Sequence, residues 1–159
     1  MNNQIDDSDD SATTSDGAAA AAIGQPLNIL LVEDDEVDVE NVRRAFRKNN
    51  IANPLWTAGN GVEALEMLRS GVVPAPRRLV LLDLNLPRMN GLEFLHAIRR
   101  DITLSSLPVV VLTTSNDERD KVEAYHLNVA GYLLKPVSFV SFAELMNTLN
   151  KYWTLVELP

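Results

Sequence analysis

The chain has 159 residues, a formal net charge of −8 at pH 7 and no cysteine. The lack of cysteine excludes disulfides, thiol catalysis and cysteine-ligated zinc, and no apolar run reaches the roughly 20 residues that a membrane span requires. The excess of acidic residues argues against direct binding to nucleic acid, because the phosphates would repel it. The polar start does not resemble a secretory signal, so we expect a cytoplasmic protein.

The amino-terminal segment differs in composition from the rest of the chain. Residues 1–26 contain five acidic side chains, no basic one and a run of five alanines. Such a segment buries too little apolar surface to offset the entropy lost on ordering, so we predict a disordered acidic tail. Residues 27–159 have the size of one ordinary domain, and they include a short apolar extension at the carboxyl end.

From Asn28 onwards, short apolar runs alternate with segments whose apolar residues recur at helical spacing. The predicted strands are residues 29–32, 55–58, 79–82, 109–112 and 131–134. Apolar stripes of the predicted helices lie within residues 39–46, 62–68, 92–98, 122–127 and 142–152. We expect Asp35 to cap the first helix and Ser138 to cap the last one.

This alternation of apolar strands with helices indicates the fold. Strands that are apolar on both faces form a parallel sheet with helices on each side, and right-handed crossovers leave few topologies. We predict an α/β fold with a doubly wound five-stranded parallel sheet, in the flavodoxin-like order 2-1-3-4-5. Ligands of such a sheet bind outside the carboxyl ends of the strands, at the switch point between strands one and three.

Polar residues follow four of the five predicted strands at that edge. Strand one leads into Glu33 and Asp34, strand three into Asp83, strand four into Thr113, and strand five into Lys135. Three carboxylates that lie so close would not all ionise without a cation between them. Oxygen ligands suit a hard ion, so we predict Mg²⁺, with several waters and an open position for a phosphoryl oxygen. The ammonium and the hydroxyl would complete a phosphate-sized pocket.

The runs ILLVEDD, LLDLNLPRMNG, VVVLTTS and GYLLKP resemble the receiver domain of two-component response regulators and stand in that family's order. The resemblance covers residues 27–151. The chain departs from chemotaxis-type receivers at residues 72–78, which lengthen the segment before strand three. Within the family, the chain is similar to the single-domain regulators that partner bacterial phytochrome histidine kinases. The similarity lies in four segments: EDDEVD, this proline-rich segment, TTS and the YWTLVELP end.

The resemblance implies a phosphorelay function with a defined acceptor. Asp83 would accept a phosphoryl group from a kinase phosphohistidine, and Asp34 and Asp83 would bind Mg²⁺ directly. Glu33 would act through a metal-bound water, and Asn85 would offer its backbone carbonyl. The residues themselves favour a functional role for Asp83, because a lone aspartate after an apolar strand is costly to bury unless it is paired, and a threonine and a lysine follow the later strands.

The family also implies roles for residues after strands four and five. Thr113, which strand alternation favours over Thr114, would bind the phosphoryl group beside Lys135. Thr113 and Tyr132 would then change conformation together as a switch. We further expect the peptide bond between Lys135 and Pro136 to be cis.

The resemblance implies protein partners as well. We expect a sensor histidine kinase, for which the finer similarity suggests a bacteriophytochrome, and a downstream protein that the sequence does not identify. The sequence ends at Pro159, so we expect no DNA-binding output domain and an output through protein contacts. A homodimer through helix four, strand five, helix five and the apolar residues from Trp153 to Leu158 is a further expectation.

Three alternatives remain beside this interpretation. A constitutive pseudo-receiver would dock without being phosphorylated, although the intact acids, Thr113 and Lys135 argue against it. An aspartyl-phosphate phosphohydrolase would need a second acid where the chain has Asn85. A flavodoxin-like FMN carrier would need a phosphate-binding loop rich in Ser, Thr and Gly after strand one, where Glu33, Asp34 and Asp35 would repel phosphate in the absence of a cation.

Overall fold

Ten secondary-structure elements make up the computed structural model, which describes residues 26–159. The predicted disordered tail, residues 1–26, lies outside the described residues except for Pro26. The strands are β1 (Asn28–Val32), β2 (Leu55–Ala58), β3 (Arg78–Leu82), β4 (Val109–Thr113) and β5 (Gly131–Leu134). The helices are α1 (Glu36–Lys48), α2 (Gly61–Arg69), α3 (Gly91–Arg100), α4 (Glu118–His126) and α5 (Phe139–Leu155).

All five strands run parallel in the order β2-β1-β3-β4-β5, so the predicted fold is confirmed. The last residue of β1, Val32, pairs with Ala58 of β2 and with Leu82 of β3. Thr113 of β4 pairs with Leu134 of β5. This register brings the residues that follow β1, β3, β4 and β5 to one edge of the sheet.

Two apolar layers cover the two faces of the sheet. Ile29 and Leu31 of β1 pack in the layer formed by α1 and α5, whereas Leu30 and Val32 pack in the layer that includes α2, α3 and α4. Alternate strand residues therefore point into opposite layers, and both sets are buried. Burial on both faces explains why the strands are continuous apolar runs.

Helix caps fix where the helices begin at the functional edge. Asp35 caps α1 by accepting a hydrogen bond from the Val37 amide at 2.8 Å. Ser138 caps α5 by accepting from the Ser141 amide at 3.2 Å. Both predicted caps are confirmed, and each satisfies a backbone donor that the first turn would otherwise leave without a partner.

The expected cis bond between Lys135 and Pro136 is wrong. Among the described residues, the cis peptide bond lies between Ala75 and Pro76. The amide of Lys135 donates to the carbonyl of Thr113 at 2.9 Å, which continues the β4–β5 ladder. This hydrogen bond already fixes the backbone of Lys135 at the site.

None of the helices within residues 26–159 has both the length and the apolar character that crossing a membrane demands.

Candidate functional site

Three carboxylates meet where β1 and β3 end. The amide of Glu33 donates to Ala58 of β2 at 2.9 Å, and the amide of Asp83 donates to Val32 of β1 at 3.0 Å. These bonds extend the sheet by one residue on each strand. Carboxylate oxygens of Glu33, Asp34 and Asp83 all lie within 4.8 Å of one another. Glu33 and Asp83 are buried and Asp34 is exposed, so the cluster opens to solvent beside Asp34.

The ammonium of Lys135 lies among carboxylates. It donates to Glu33, to Asp38 Oδ2 at 2.9 Å and to Asp83 Oδ2 at 3.3 Å. Burial by itself would lower the pKa of Lys135. The hydrogen bonds to Glu33 and Asp38 and the charges of Asp83 and Glu33 outweigh burial and raise that pKa above its ordinary value. Lys135 is therefore a fixed positive charge at neutral pH.

The surroundings of Glu33 change its ionisation. Burial raises the pKa of Glu33 from 4.5 to about 7, while the hydrogen bond and charge of Lys135 act in the opposite direction. The charge of Asp83 raises the pKa further. A bound cation would favour the ionised form of Glu33, which burial disfavours.

The hydroxyl of Thr113 binds the other oxygen of Asp83. Thr113 is fully buried, and its Oγ1 donates to Asp83 Oδ1 at 2.8 Å. Thr114 is exposed, so Thr113 is the threonine at the end of β4 that faces the site. The Asn85 amide also donates to Asp83 Oδ1, at 3.3 Å. Donors thus contact both oxygens of the carboxylate, which fixes its orientation.

Tyr132 is connected to the site through Ser115. Its hydroxyl donates to the carbonyl of Ser115 at 2.8 Å, and its ring packs against the core layer that includes α4. The amide of Ser115 donates in turn to Thr113 Oγ1 at 3.2 Å. Tyr132 is therefore connected to the Thr113 hydroxyl through the backbone of one residue.

The backbone of α3 at Gly91 lies close to the backbone at Asp83 and Leu84. A Cβ atom at Gly91 would lie 2.4 Å from the carbonyl oxygen of Asp83 and 2.6 Å from the Cα of Leu84. The amide of Gly91 donates to Leu84 at 3.0 Å, while Asn90 caps α3. Only glycine leaves room for α3 to start this close to the end of β3.

The sequence interpretation did not include Asp38. Asp38 lies in the first turn of α1 and reaches Lys135 across 97 positions of the chain. The available signal was its position in the first turn of the first helix, three residues after the cap Asp35. The structure brings Glu33, Asp34, Asp83, Thr113 and Lys135 together as well, and it adds Asp38 to this group.

The fold and this group of side chains define a receiver-type site: acids after strands one and three, a hydroxyl after strand four and a lysine after strand five. The family comparison agrees, because the model for the response regulator receiver domain matches residues 29–150. The chain belongs to the response regulator receiver family and is a signalling protein of the two-component class.

Two curated relatives match most of the chain. The probable methanogenesis regulatory protein FilR2 of Methanothrix harundinacea is 38% identical over 130 residues, which cover 80% of this chain and 84% of FilR2. Response regulator Rcp1 of Synechocystis is 36% identical over 138 residues, which cover 84% of this chain and 94% of Rcp1.

Solved structures give the same assignment. The phosphorylated cyanobacterial phytochrome response regulator RcpA superposes with a TM-score of 0.77 at 34% identity, covering 85% of this chain and 99% of RcpA. The Mn²⁺-bound form of Rcp1 superposes with a TM-score of 0.75 at 36% identity, covering 84% of this chain and 99% of that structure. Phosphorylation on aspartate is typical of this family, and one of these two relatives was solved phosphorylated and the other with a divalent metal.

Proposed function

We propose that this chain is a phosphorylation-dependent regulator whose Asp83 accepts a phosphoryl group from a sensor histidine kinase. The single observation that carries the proposal is the setting of Asp83. Its carboxylate is buried, Thr113 donates to one oxygen and Lys135 donates to the other. A carboxylate that is held in this way is oriented for in-line attack on phosphorus.

The acid cluster suits Mg²⁺ as the cofactor. Asp34 and Asp83 would bind the ion directly, Glu33 would bind through a water, and Asn85 would contribute its backbone carbonyl. The fit is supported by three carboxylates whose oxygens lie within 4.8 Å of one another, since Mg²⁺ prefers oxygen ligands and keeps several waters. When bound, the ion supplies positive charge to the phosphoryl oxygens.

The residues of the chain account for the transfer step. An oxygen of Asp83 forms a bond to phosphorus while the bond from phosphorus to the histidine nitrogen of the kinase breaks, and the electron pair leaves with that nitrogen. Lys135 and the hydroxyl of Thr113 would neutralise and bind the phosphoryl oxygens. Such transfers depend on positioning and charge more than on covalent help. Hydrolysis of the acyl phosphate by water would later return Asp83 to its carboxylate.

Transfer would then alter the surface through Thr113 and Tyr132. If Thr113 Oγ1 moves from Asp83 to a phosphoryl oxygen, the amide of Ser115 that donates to it moves as well. The carbonyl of Ser115 holds the hydroxyl of Tyr132, so this displacement reaches β5. Phosphorylation would in this way shift the balance between two conformations of the surface. A local change of charge would thus alter a part of the surface that lies away from Asp83.

The partners of this reaction are proposed from the relatives and from the surface. RcpA is a phytochrome response regulator by name, which supports a phytochrome-type histidine kinase as the phosphodonor. Exposed Leu134, Tyr152 and Leu155 on β5 and α5 support a homodimer or a downstream protein contact on that face. The cytoplasmic location expected from the sequence stays a prediction.

Phosphoryl acceptance can be tested with a small donor. The protein is incubated with acetyl phosphate and Mg²⁺, and intact mass is measured for one added phosphoryl group. Asp83→Asn and EDTA should each abolish the addition. Glu66→Gln, which changes an exposed carboxylate on α2, is the matched control and should be phosphorylated like the wild type.

Absence of phosphorylation would contradict the proposal. If the folded wild type stays unmodified with both acetyl phosphate and phosphoramidate, the phosphoacceptor proposal is wrong. The constitutive docking module would then be the better account of the same fold.

A further inference from the structure

We infer that Asp38 is a positioning residue that holds the ammonium of Lys135 while Asp83 is unphosphorylated and releases it to an incoming phosphoryl group. This inference rests on the proposed function, because it assigns a role in the same site. Asp38 and the phosphoryl group would be competitors for one cation.

The number of donors on Lys135 creates the competition. An ammonium has three N–H donors, and Lys135 has three carboxylate partners among the described residues, namely Glu33, Asp38 and Asp83. The bond to Asp38 is 2.9 Å long and the bond to Asp83 is 3.3 Å long. No N–H donor is left over for a phosphoryl oxygen, so one of these bonds has to break.

Burial distinguishes Asp38 from the other two partners of Lys135. The side chains of Glu33 and Asp83 are 3% and 7% exposed, whereas that of Asp38 is 36% exposed. Loss of the cation is costly for Glu33, whose buried carboxylate water cannot readily solvate. Asp83 would carry the phosphoryl group itself and also accepts from Thr113 and Asn85. Asp38 can instead exchange the ammonium for water, so releasing its bond costs less than releasing the bond of the buried Glu33.

The charge of the arriving group acts in the same direction. A phosphoryl group on Asp83 adds negative charge to a site that already contains several carboxylates. The ammonium is then drawn towards the phosphoryl oxygens and away from Asp38. By holding Lys135 in the absence of phosphate, Asp38 lowers the affinity of the site for a phosphoryl group.

Beryllofluoride, a non-covalent phosphoryl analogue, is the probe that tests this competition. Its affinity in excess Mg²⁺ is measured by ¹⁹F NMR titration for the wild type, Asp38→Asn and Asp38→Ser. Glu36→Gln is the matched control, because Glu36 is an exposed acid in the same first turn of α1 and does not bind Lys135. Thermal unfolding checks that every variant is folded, and the serine variant serves if the asparagine variant is not.

Both Asp38 variants should bind beryllofluoride about threefold more tightly than the wild type, the factor expected for loss of one partly exposed ion pair. Asp38→Glu, which restores a carboxylate, should return the affinity towards the wild-type value. Equal tightening in Glu36→Gln would reduce the effect to general charge and overturn the inference, and so would unchanged or weaker binding in the Asp38 variants. If the wild type itself does not bind beryllofluoride with Mg²⁺, the proposed function fails, and this inference fails with it.

Discussion

The Thr113 hydroxyl donates to Asp83 Oδ1 at 2.8 Å, and both side chains are buried between the ends of neighbouring strands. The bond therefore joins β4 to β3 beyond the last backbone pair of their ladder, which ends at Leu82 and Val111. It holds the central carboxylate and the hydroxyl in one orientation. Loss of this hydrogen bond should affect stability and chemistry together.

Thr113→Val tests this bond, because valine has nearly the same shape and lacks the hydroxyl. The free energy of unfolding should fall by about 1.5–3 kcal/mol, the range for a hydrogen bond to a charged group. Phosphorylation by acetyl phosphate should also slow. Urea denaturation and intact mass measure the two effects, and Thr114→Val, at the exposed neighbour, should change neither. A variant with wild-type stability would show that the hydroxyl does not support Asp83.

Gly91→Ala tests the close approach of α3 to the end of β3. Its Cβ would lie 2.4 Å from the carbonyl oxygen of Asp83, and backbone cannot move aside as a flexible side chain can. We expect a loss of about 2 kcal/mol in the free energy of unfolding, typical of overpacking. Gly131→Ala is the control, since its Cβ would meet only Val110 Cγ1 at 3.9 Å. Equal stability of the two variants in thermal or urea unfolding would contradict the prediction.

Mg²⁺ should stabilise the folded protein, because binding to the native state alone shifts the unfolding equilibrium. At a Mg²⁺ concentration one hundred times the Kd, the expected gain is about 2.7 kcal/mol. Differential scanning calorimetry with Mg²⁺ and with EDTA measures it. In Asp34→Asn the gain should be largely lost, while Asp101→Asn, an aspartate at the end of α3, should keep it. A gain of the same size in Asp34→Asn would place the ion elsewhere.

Glu33 should make the stability of the metal-free protein depend on pH. Its pKa is raised from 4.5 to about 7, so the native state binds this proton more tightly than the unfolded chain does. The stabilisation is complete below pH 4.5 and is lost as the pH rises through about 7. In EDTA, the free energy of unfolding of the wild type relative to Glu33→Gln should therefore be lower at pH 8 than at pH 5. A difference that does not change with pH would mean that Glu33 is ionised throughout.

The fold was predictable because its determinants are local. Strands that are apolar on both faces require helices on each side, and right-handed crossovers leave few strand orders. The caps at Asp35 and Ser138 were also readable, since a polar side chain stands just before each apolar helical stripe. The caps at Asn60 and Asp117 were not anticipated, although they use the same chemistry.

The contacts of Lys135 could not be predicted in the same way. That a lysine follows β5 is a property of the sequence, but its bond to Asp38 depends on the rotation of α1 about its axis and on a side-chain rotamer. Neither quantity is contained in the spacing of apolar residues.

The ion pair between Glu33 and Lys135 joins residues that are 102 positions apart, one just after the first strand and the other just after the last strand of the sheet. The cation of the site arrives only when β5, the last strand of the sheet, has joined β4. A nascent or partly unfolded chain therefore carries Asp83 but lacks the charge that would neutralise a phosphoryl group. If Asp83 is the phosphoacceptor as proposed, transfer to it would therefore require β5 to have paired with β4.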